Sequence, residues 1–189
     1  MSNLETYLQA NPKKYLIFDF DETLFTLQLP WGRYHAELRK KLRELDPTYR
    51  QEDDTTELEN NITQKLGQKA AEVRWNYSKQ FEKDNFRGMT ELTDLTDFIR
   101  QHHSEYVFFL WTSNMRETVQ PILQKSGLLP YFKQLVTKGD VSLMKPNPEG
   151  FKLLFDSKKQ KKDEFLLIGD SKHDKKAAEA IGIDCWMRL

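Results

Sequence analysis

The sequence predicts an α/β protein in which a doubly wound parallel sheet carries a small helical insertion after its first strand. Short apolar runs of the length of buried strands recur along the chain, and stretches with the spacing of amphipathic helices separate most of them. One long segment after the first run interrupts this alternation. Strand alternating with helix favours a parallel sheet with right-handed crossovers, and the long segment favours an inserted module.

Five apolar runs are the predicted strands, because each is mostly apolar and too short for a helix. They span residues 15–18, 106–111, 134–137, 165–168 and 183–187. Helical spacing predicts helices over residues 91–103, 117–126, 148–156 and 174–181. Gly127 and Gly182 follow two of these helices, at the position where glycine commonly ends a helix.

Residues 26–90 form the predicted insertion, since a crossover between parallel strands needs far fewer residues. An apolar stripe with steps of three or four residues predicts one long amphipathic helix within it. The stripe consists of Leu58, Ile62, Leu66, Ala70, Val73, Tyr77 and Phe81. Residues 33–45 are its predicted antiparallel partner, ending before Asp46-Pro47. We therefore expect a core of residues 1–25 and 91–189 and a helical cap of residues 26–90.

The overall composition argues against several classes of partner. Lys and Arg number 29, as do Asp and Glu, so no net charge favours nucleic acid or an anionic membrane. No apolar stretch is long enough to span a membrane, and the first residues lack a basic segment followed by an apolar run. The single cysteine, Cys185, excludes an internal disulfide and favours a reducing compartment. We expect a cytoplasmic protein without a membrane or nucleic-acid partner, and no pattern indicates its oligomeric state.

Two carboxylates lie at the end of the first predicted strand. Asp19 and Asp21 follow residues 15–18, and ligands of open α/β sheets bind at the carboxyl ends of the strands. Residues two apart in an extended segment point the same way, so the two charges would be crowded. Such crowding is costly without a cation or a proton. Taken alone, the pair is equally typical of a turn or a helix cap.

Hydrogen-bond donors and a lysine come from two later segments. Thr112, Ser113 and Asn114 follow the strand at 106–111 and precede a helix, where hydroxyl and backbone N–H groups are suited to an anion. An ordinary helix cap would use the same residue types. Lys145 precedes a helix start bounded by prolines, which could hold its ammonium inward. Each signal is weak by itself.

A second acidic segment follows the strand at 165–168. Gly169 lets the backbone approach a ligand closely, and Asp170 and Asp174 bring further carboxylates to the same edge of the predicted sheet. Acids, hydroxyls and one lysine thus follow strands or precede helices at four places in one chain. Four unrelated caps or turns would not all be expected to place such residues at one edge of the sheet, so we interpret the four segments as one site.

These segments resemble the four motifs of the haloacid dehalogenase superfamily, in its capped branch similar to phosphoglycolate phosphatases. The residues that carry the resemblance are Asp19-Phe20-Asp21-Glu22-Thr23, Thr112-Ser113-Asn114, Lys145-Pro146 and Gly169-Asp170-Ser171-Lys172-His173-Asp174. The match covers most of the sheet-forming part of the chain. It implies a Rossmann-like, three-layer, doubly wound parallel sheet with a helical cap inserted after the first strand.

The resemblance also implies roles for individual residues. Asp19 is implied as the nucleophile, Asp21 as the general acid and base, and Asp174 as a support behind them. The groups implied to bind the phosphoryl oxygens are Thr112, Ser113, Asn114 and Lys145. The groups implied to bind Mg²⁺ are Asp19, Asp170 and the carbonyl of Asp21.

The implied reaction is magnesium-dependent hydrolysis of a small-molecule phosphate monoester through an aspartyl-phosphate intermediate. Asp21 favours phosphate over haloacid substrates, because a halide leaves without a proton. Glu22 replaces the glycine usual in relatives that act on metabolites, and this form also resembles protein phosphatases acting on phosphoserine tails. The long insertion favours a small substrate, which Arg33 or His35 could contact. A phosphomutase, a protein phosphatase and a catalytically silent binding module are the alternatives.

Overall fold

The computed structural model describes residues 3–48 and 54–188. Residues 49–53 of the predicted insertion therefore lie outside the described residues, as do 1, 2 and 189. The helices are α1 (Asn3–Ala10), α2 (Trp31–Leu45), α3 (Thr55–Leu66), α4 (Gln68–Asn85), α5 (Thr93–His102), α6 (Arg116–Lys125), α7 (Glu149–Leu154) and α8 (Lys172–Ile181). The strands are β1 (Tyr15–Phe18), β2 (Phe25–Leu27), β3 (Met89–Glu91), β4 (Val107–Trp111), β5 (Phe132–Val136), β6 (Phe165–Gly169) and β7 (Asp184–Met187). None of the helices in these ranges is long and apolar enough to cross a lipid bilayer.

Five parallel strands form the central sheet, in the order β5-β4-β1-β6-β7. β1 lies in the middle and pairs with β4 on one side and β6 on the other. Its last residue, Phe18, lies opposite Leu110 and Ile168, so these three strands end at nearly the same level. This register brings the polar segments that follow the strands to one edge. The five predicted strands and the four predicted helices of the core are confirmed, with small differences at their ends.

Helices cover both faces of the sheet. Along β1, Leu16 and Phe18 belong to an apolar cluster with α1, α5 and α6, whereas Tyr15 and Ile17 belong to a cluster with α7 and α8. Alternate residues of the strand are therefore buried on opposite sides, as in a sheet covered on both faces. The predicted three-layer, doubly wound arrangement is confirmed. Helix α1, which the patterns do not predict, adds Leu4 to the first cluster.

The insertion begins and ends in an antiparallel pair, β2 with β3, which the sequence patterns do not predict. Helices α2, α3 and α4 lie between these strands and share an apolar core of their own. The prediction of one long helix over the stripe is wrong, because the helix breaks at Gly67 between α3 and α4. Gly67 has φ 63° and ψ −141°, a backbone conformation that is costly for any other residue. Leu58 and Phe81, from opposite ends of the stripe, still meet in the same core.

The predicted partner helix is confirmed as α2, which packs against both α3 and α4. It ends before Asp46, whose N–H donates to the Leu42 carbonyl at 3.2 Å. Tyr34 and Leu38 are buried on the side that faces the other two helices. The three helices therefore form a compact layer over the edge of the sheet at which β1 leaves the core.

Candidate active site

Asp19 and Lys145 form an ion pair at the carboxyl edge of the sheet. Asp19 follows β1 directly, its N–H donates to the Ile168 carbonyl at 2.8 Å, and its side chain is buried. Lys145 Nζ lies 2.9 Å from Asp19 Oδ1 and 2.5 Å from Asp174 Oδ1. The same ammonium donates to the Trp111 carbonyl, at the end of β4, at 3.0 Å. All four predicted segments therefore approach one another around this ammonium group.

Asp174 lies behind the ion pair, in the first turn of α8. It is fully buried, and its Oδ1 accepts from Lys145. Its Oδ2 accepts from the Ser171 N–H at 3.1 Å and from the Ser171 hydroxyl at 2.5 Å. Ser171 Oγ in turn lies 3.3 Å from the Asp174 backbone N, so the two residues cap the helix reciprocally. Both carboxylate oxygens of Asp174 are thus engaged by donors of the protein.

Three carboxylates meet where a cation could bind. One oxygen from each of Asp19, Asp170 and Asp174 lies within 4.8 Å of the others. Burial raises the pKa of Asp19 to about 7, an effect that Lys145 opposes and the two neighbouring carboxylates increase. Burial also raises the pKa of Asp170, whose Oδ1 accepts from the Thr23 hydroxyl at 3.1 Å. Carboxylates packed this closely need positive charge, and Mg²⁺ prefers such oxygen ligands.

Asp21 lines the cavity beside Asp19, in the turn that leads into β2. Its Oδ1 accepts from the Leu27 N–H at 2.7 Å. Burial raises the pKa of Asp21 to about 7; the Leu27 bond opposes this shift, and the charges of Asp19 and Glu22 add to it. A carboxyl group with such a pKa can give and take a proton near neutral pH. Glu22 has φ 57°, in the left-handed region that favours glycine, which agrees with its unusual place in the motif.

The segment after β4 brings only part of its polar groups to the cavity. Ser113 and Asn114 line it. Thr112 is buried in the turn, where its hydroxyl donates to Asn114 Oδ1 at 2.8 Å and accepts from the Asn114 N–H at 3.2 Å. Thr112 is not one of the described residues that line the cavity. Its hydroxyl would have to exchange this partner before it could bind a phosphoryl oxygen.

A cavity of about 300 Å³ lies between this edge of the sheet and the insertion. The core lines it with Asp19, Asp21, Asp170 and Lys145, among others. The residues that the insertion contributes are Trp31, Tyr34, His35, Thr56 and Glu59. His35, one of two candidates for substrate contact, is therefore on the cavity wall. The other candidate, Arg33, is exposed and donates to Asn85 instead.

Two charged residues of the cavity are not predicted from the sequence. Lys138 and Glu59 are both buried, and Lys138 Nζ lies 3.2 Å from Glu59 Oε2. The signal for Lys138 is its place two residues after β5, since Asp19, Thr112 and Asp170 also come just after strands. The signal for Glu59 is an acid beside Leu58 of the apolar stripe, on the buried side of α3. Neither signal identifies a partner, because only the packing of the insertion on the core brings the two residues together.

Similarity to known proteins extends over nearly the whole chain. The family model for haloacid dehalogenase-like hydrolases matches residues 16–187. The pyrophosphatase PpaX of Listeria innocua is 26% identical over 170 residues, which cover 87% of this chain and 77% of that protein. A phosphoglycolate phosphatase of Yersinia pseudotuberculosis is 34% identical over 76 residues, which cover 40% of this chain and 33% of that protein.

A solved structure supports the same fold. The structure of YfnB from Bacillus subtilis, bound to magnesium, aligns with a TM-score of 0.55 and 20% sequence identity. The alignment covers 92% of this chain and 85% of that one. At this identity the likeness concerns the fold alone. Other curated relatives are matched over a smaller part, and the chain spans 33–40% of their length.

Proposed function

We propose that this chain, which belongs to the haloacid dehalogenase-like hydrolase family, is a phosphatase that uses Mg²⁺ and releases phosphate from a small-molecule monoester. The family membership expected from the motifs is confirmed by the match. The observation that carries the proposal is the cluster of Asp19, Lys145 and Asp170, with Asp21 beside it on the wall of one cavity. Phosphoryl transfer needs positioning and charge compensation, and these groups are suited to both.

We assign residues 1–25 and 91–189 to the catalytic core and residues 26–90 to the cap. The pair β2 and β3 supports this division, because it brackets the three inserted helices. Those helices also have an apolar core distinct from the two clusters of the sheet. The cap covers the acids and limits the cavity to about 300 Å³, which favours a small ester over a phosphoprotein.

Asp19 would act as the nucleophile and Asp21 as the acid and base. Asp19 would attack phosphorus while the bond to the leaving oxygen breaks, and protonated Asp21 would donate its proton to that oxygen. Water would then attack the aspartyl phosphate, and Asp21 would take a proton from it, which releases phosphate and restores both residues. The pKa of Asp21, raised to about 7, supports both proton transfers.

Lys145 and the segment after β4 would bind the phosphoryl oxygens. The buried ammonium of Lys145 compensates the charges of the substrate and of Asp19, and it is held in place by Asp174. Ser113 and Asn114 offer donors on the cavity wall. We assign the same role to the Thr112 hydroxyl, once it has released Asn114.

Mg²⁺ would be held by Asp19, Asp170 and the backbone carbonyl of Asp21. The excess of buried negative charge fits a divalent cation with oxygen ligands. The two oxygens of Asp174 already accept from Lys145 and Ser171, so we assign Asp174 to support. When bound, the ion supplies positive charge that shields the nucleophilic carboxylate from the substrate dianion.

The test is phosphate release from p-nitrophenyl phosphate and a panel of monoesters, with Mg²⁺ and after its removal by chelation. Turnover should need the ion, and Asp19→Asn should lower kcat at least about a thousandfold, because an amide is a poor nucleophile. The matched control is Asp163→Asn, at an exposed position away from the cavity, which should retain wild-type turnover. Wild-type turnover by folded Asp19→Asn, or turnover unaffected by chelation, would contradict the proposal. Migration of phosphate on a sugar without release would indicate a mutase.

A further inference from the structure

We infer that the leaving group of the substrate is a small neutral alcohol with further hydroxyl groups, recognised by the buried pair of Glu59 and Lys138. The inference rests on the proposed phosphatase function and names the substrate class of the same site. Both residues line the cavity that holds Asp19 and Lys145. Neither is needed for the chemistry at phosphorus, so their burial in this wall calls for another explanation.

Glu59 is a buried carboxylate with incomplete hydrogen bonding. It is 2% exposed. Its Oε2 lies 3.2 Å from Lys138 Nζ and 3.8 Å from Arg74 Nε, yet this oxygen accepts no hydrogen bond of adequate geometry within the described part of the chain. Buried carboxylates are normally hydrogen-bonded, because an unsatisfied one costs free energy. A donor arriving in the cavity would satisfy Glu59.

Lys138 offers the complementary group. Its Nζ donates to the Tyr34 hydroxyl at 2.5 Å and lies at ion-pair distance from Glu59, and an ammonium group has three hydrogens to donate. The Tyr34 hydroxyl lies 2.7 Å from Ser78 Oγ, which fixes this corner of the cap. The Lys138 N–H donates to the Asn114 carbonyl at 2.9 Å. This wall therefore adjoins the segment assigned to phosphoryl binding, where the leaving group of a bound ester would begin.

A hydroxyl group fits such a pair. It can donate to Glu59 and accept from Lys138 at the same time. A carboxylate has no hydrogen to donate to Glu59, and an ammonium has no lone pair to accept from Lys138, so each could engage only one member of the pair. An alkyl group would leave both charges without a new partner. Because about 300 Å³ is small for a ligand site, the leaving group has the size of a short polyol or a small sugar.

The experiment compares four esters with leaving groups of similar size: glycerol phosphate, phosphoglycolate, phosphoethanolamine and propyl phosphate. Their leaving groups are hydroxylated, anionic, cationic and apolar, respectively. We expect kcat/KM for glycerol phosphate to exceed that for each of the others at least about tenfold, because sites that hydrogen-bond a hydroxyl discriminate against analogues lacking it. p-Nitrophenyl phosphate serves as a generic substrate that reports on the phosphatase function separately.

Two variants test the pair itself. Glu59→Gln removes the negative charge and leaves Lys138 and Arg74 positive, so selectivity for glycerol phosphate over phosphoglycolate should fall at least about tenfold. A merely structural defect would lower the rates for all esters alike.

Lys138→Met should lower kcat/KM for glycerol phosphate towards that for propyl phosphate. The matched control, Glu57→Gln, lies on the same helix outside the cavity and should keep the wild-type ratios.

The kinetic results distinguish recognition of a hydroxylated leaving group from the phosphatase activity itself. If the wild type hydrolyses p-nitrophenyl phosphate but prefers the anionic, cationic or apolar ester, the inference is overturned and the phosphatase proposal stands. Ratios that are unchanged in folded Glu59→Gln and Lys138→Met would overturn it in the same way. Absence of turnover on every ester, p-nitrophenyl phosphate included, would overturn both.

Discussion

Gly169 shows how one residue controls the spacing of the candidate site. It is the last residue of β6 and precedes Asp170. A Cβ atom at this position would lie 2.6 Å from Asp174 Oδ2 and 2.7 Å from Asp174 Cβ, closer than side chains pack. Glycine is therefore required here because the Asp174 carboxylate occupies the space of a side chain.

Gly169→Ala should displace Asp174 and, through their ion pair, Lys145. We expect kcat to fall at least about a hundredfold, because shifts of about 1 Å in catalytic groups have effects of this size. Steady-state kinetics on folded protein measure it. The control is Gly127→Ala, at φ 73°, which should lower stability without changing kcat. A wild-type kcat in Gly169→Ala would mean that this contact does not set the spacing.

Glu82 makes stability depend on pH through a group outside the cavity wall. It is buried on α4, and its carboxylate oxygens lie 3.1 and 3.2 Å from the Met115 N, at the start of α6. Burial raises its pKa from 4.5 to about 7. A carboxyl whose pKa is higher in the folded state stabilises the protein below its unfolded pKa. That stability is lost as the pH rises through 7.

We expect the free energy of unfolding to fall between pH 5 and pH 8 by more in the wild type than in Glu82→Gln. The difference is at most about 3 kcal/mol, from the size of the pKa shift. Urea titrations of both proteins at the two pH values measure it, and the comparison cancels the contributions of Asp19 and Asp21. Parallel pH dependences would show that Glu82 is ionised in the folded protein throughout this range.

At the scale of elements, the insertion depends on one break in its apolar stripe. Periodicity continues across Gly67, because the residues on both sides face the same small core. The helix is interrupted at this residue, and α3 and α4 both pack against α2. A continuous helix would carry its second half away from this contact. Because of this break, the apolar stripe lies on two helices that both pack into the core of the cap.

Gly67→Ala should destabilise the protein by about 1–3 kcal/mol, because its φ and ψ angles lie in a region that other residues rarely adopt. Urea unfolding followed by circular dichroism measures the change. Gly32→Ala is the matched control in the same cap: its Cβ would meet open space in α2, and it should stabilise by about 0.5–1 kcal/mol. Equal stability of Gly67→Ala and the wild type would mean that the break is not strained for alanine.

At the scale of the whole molecule, buried polar contacts join the cap to the loop that precedes Lys145. Arg74 donates to the carbonyls of Val141 and Ser142 at 2.8 and 2.9 Å. Asn60 exchanges two hydrogen bonds with the Met144 backbone, at 2.7 and 2.9 Å. The cap thus positions the backbone that leads directly to Lys145. We expect loss of these contacts to disturb the position of this ammonium.

Arg74→Met should destabilise the protein by about 3–5 kcal/mol, because it removes a fully buried cation and leaves Glu59 with one partner fewer. We also expect a lower kcat, since the loop before Lys145 loses the two hydrogen bonds that Arg74 donates to its carbonyls. Chemical denaturation and steady-state kinetics measure the two effects. Lys69→Met, an exposed position on the same helix, should change stability by no more than about 0.5 kcal/mol. A similarly small change in stability, together with a wild-type kcat, in Arg74→Met would contradict this anchoring role of Arg74.

The sequence by itself determined the five strands of the central sheet, the four helices of the core and the segments that converge at one edge. These are local properties: strands and helices follow from apolar periodicity, and residues that follow parallel strands must share an edge. Asp19 and Asp170 could therefore be placed together from the sequence. The family resemblance then implied their roles, which the proposed experiments test.

Only the tertiary structure decided the break at Gly67, the partner of the Thr112 hydroxyl and the pairing of Glu59 with Lys138. An apolar stripe has the same period in one helix or in two helices that face one core, so periodicity could not reveal the break. The Thr112 partner depends on a turn whose geometry the sequence pattern leaves open. Glu59 and Lys138 are far apart in the chain, and their pairing arises because the cap packs on the core.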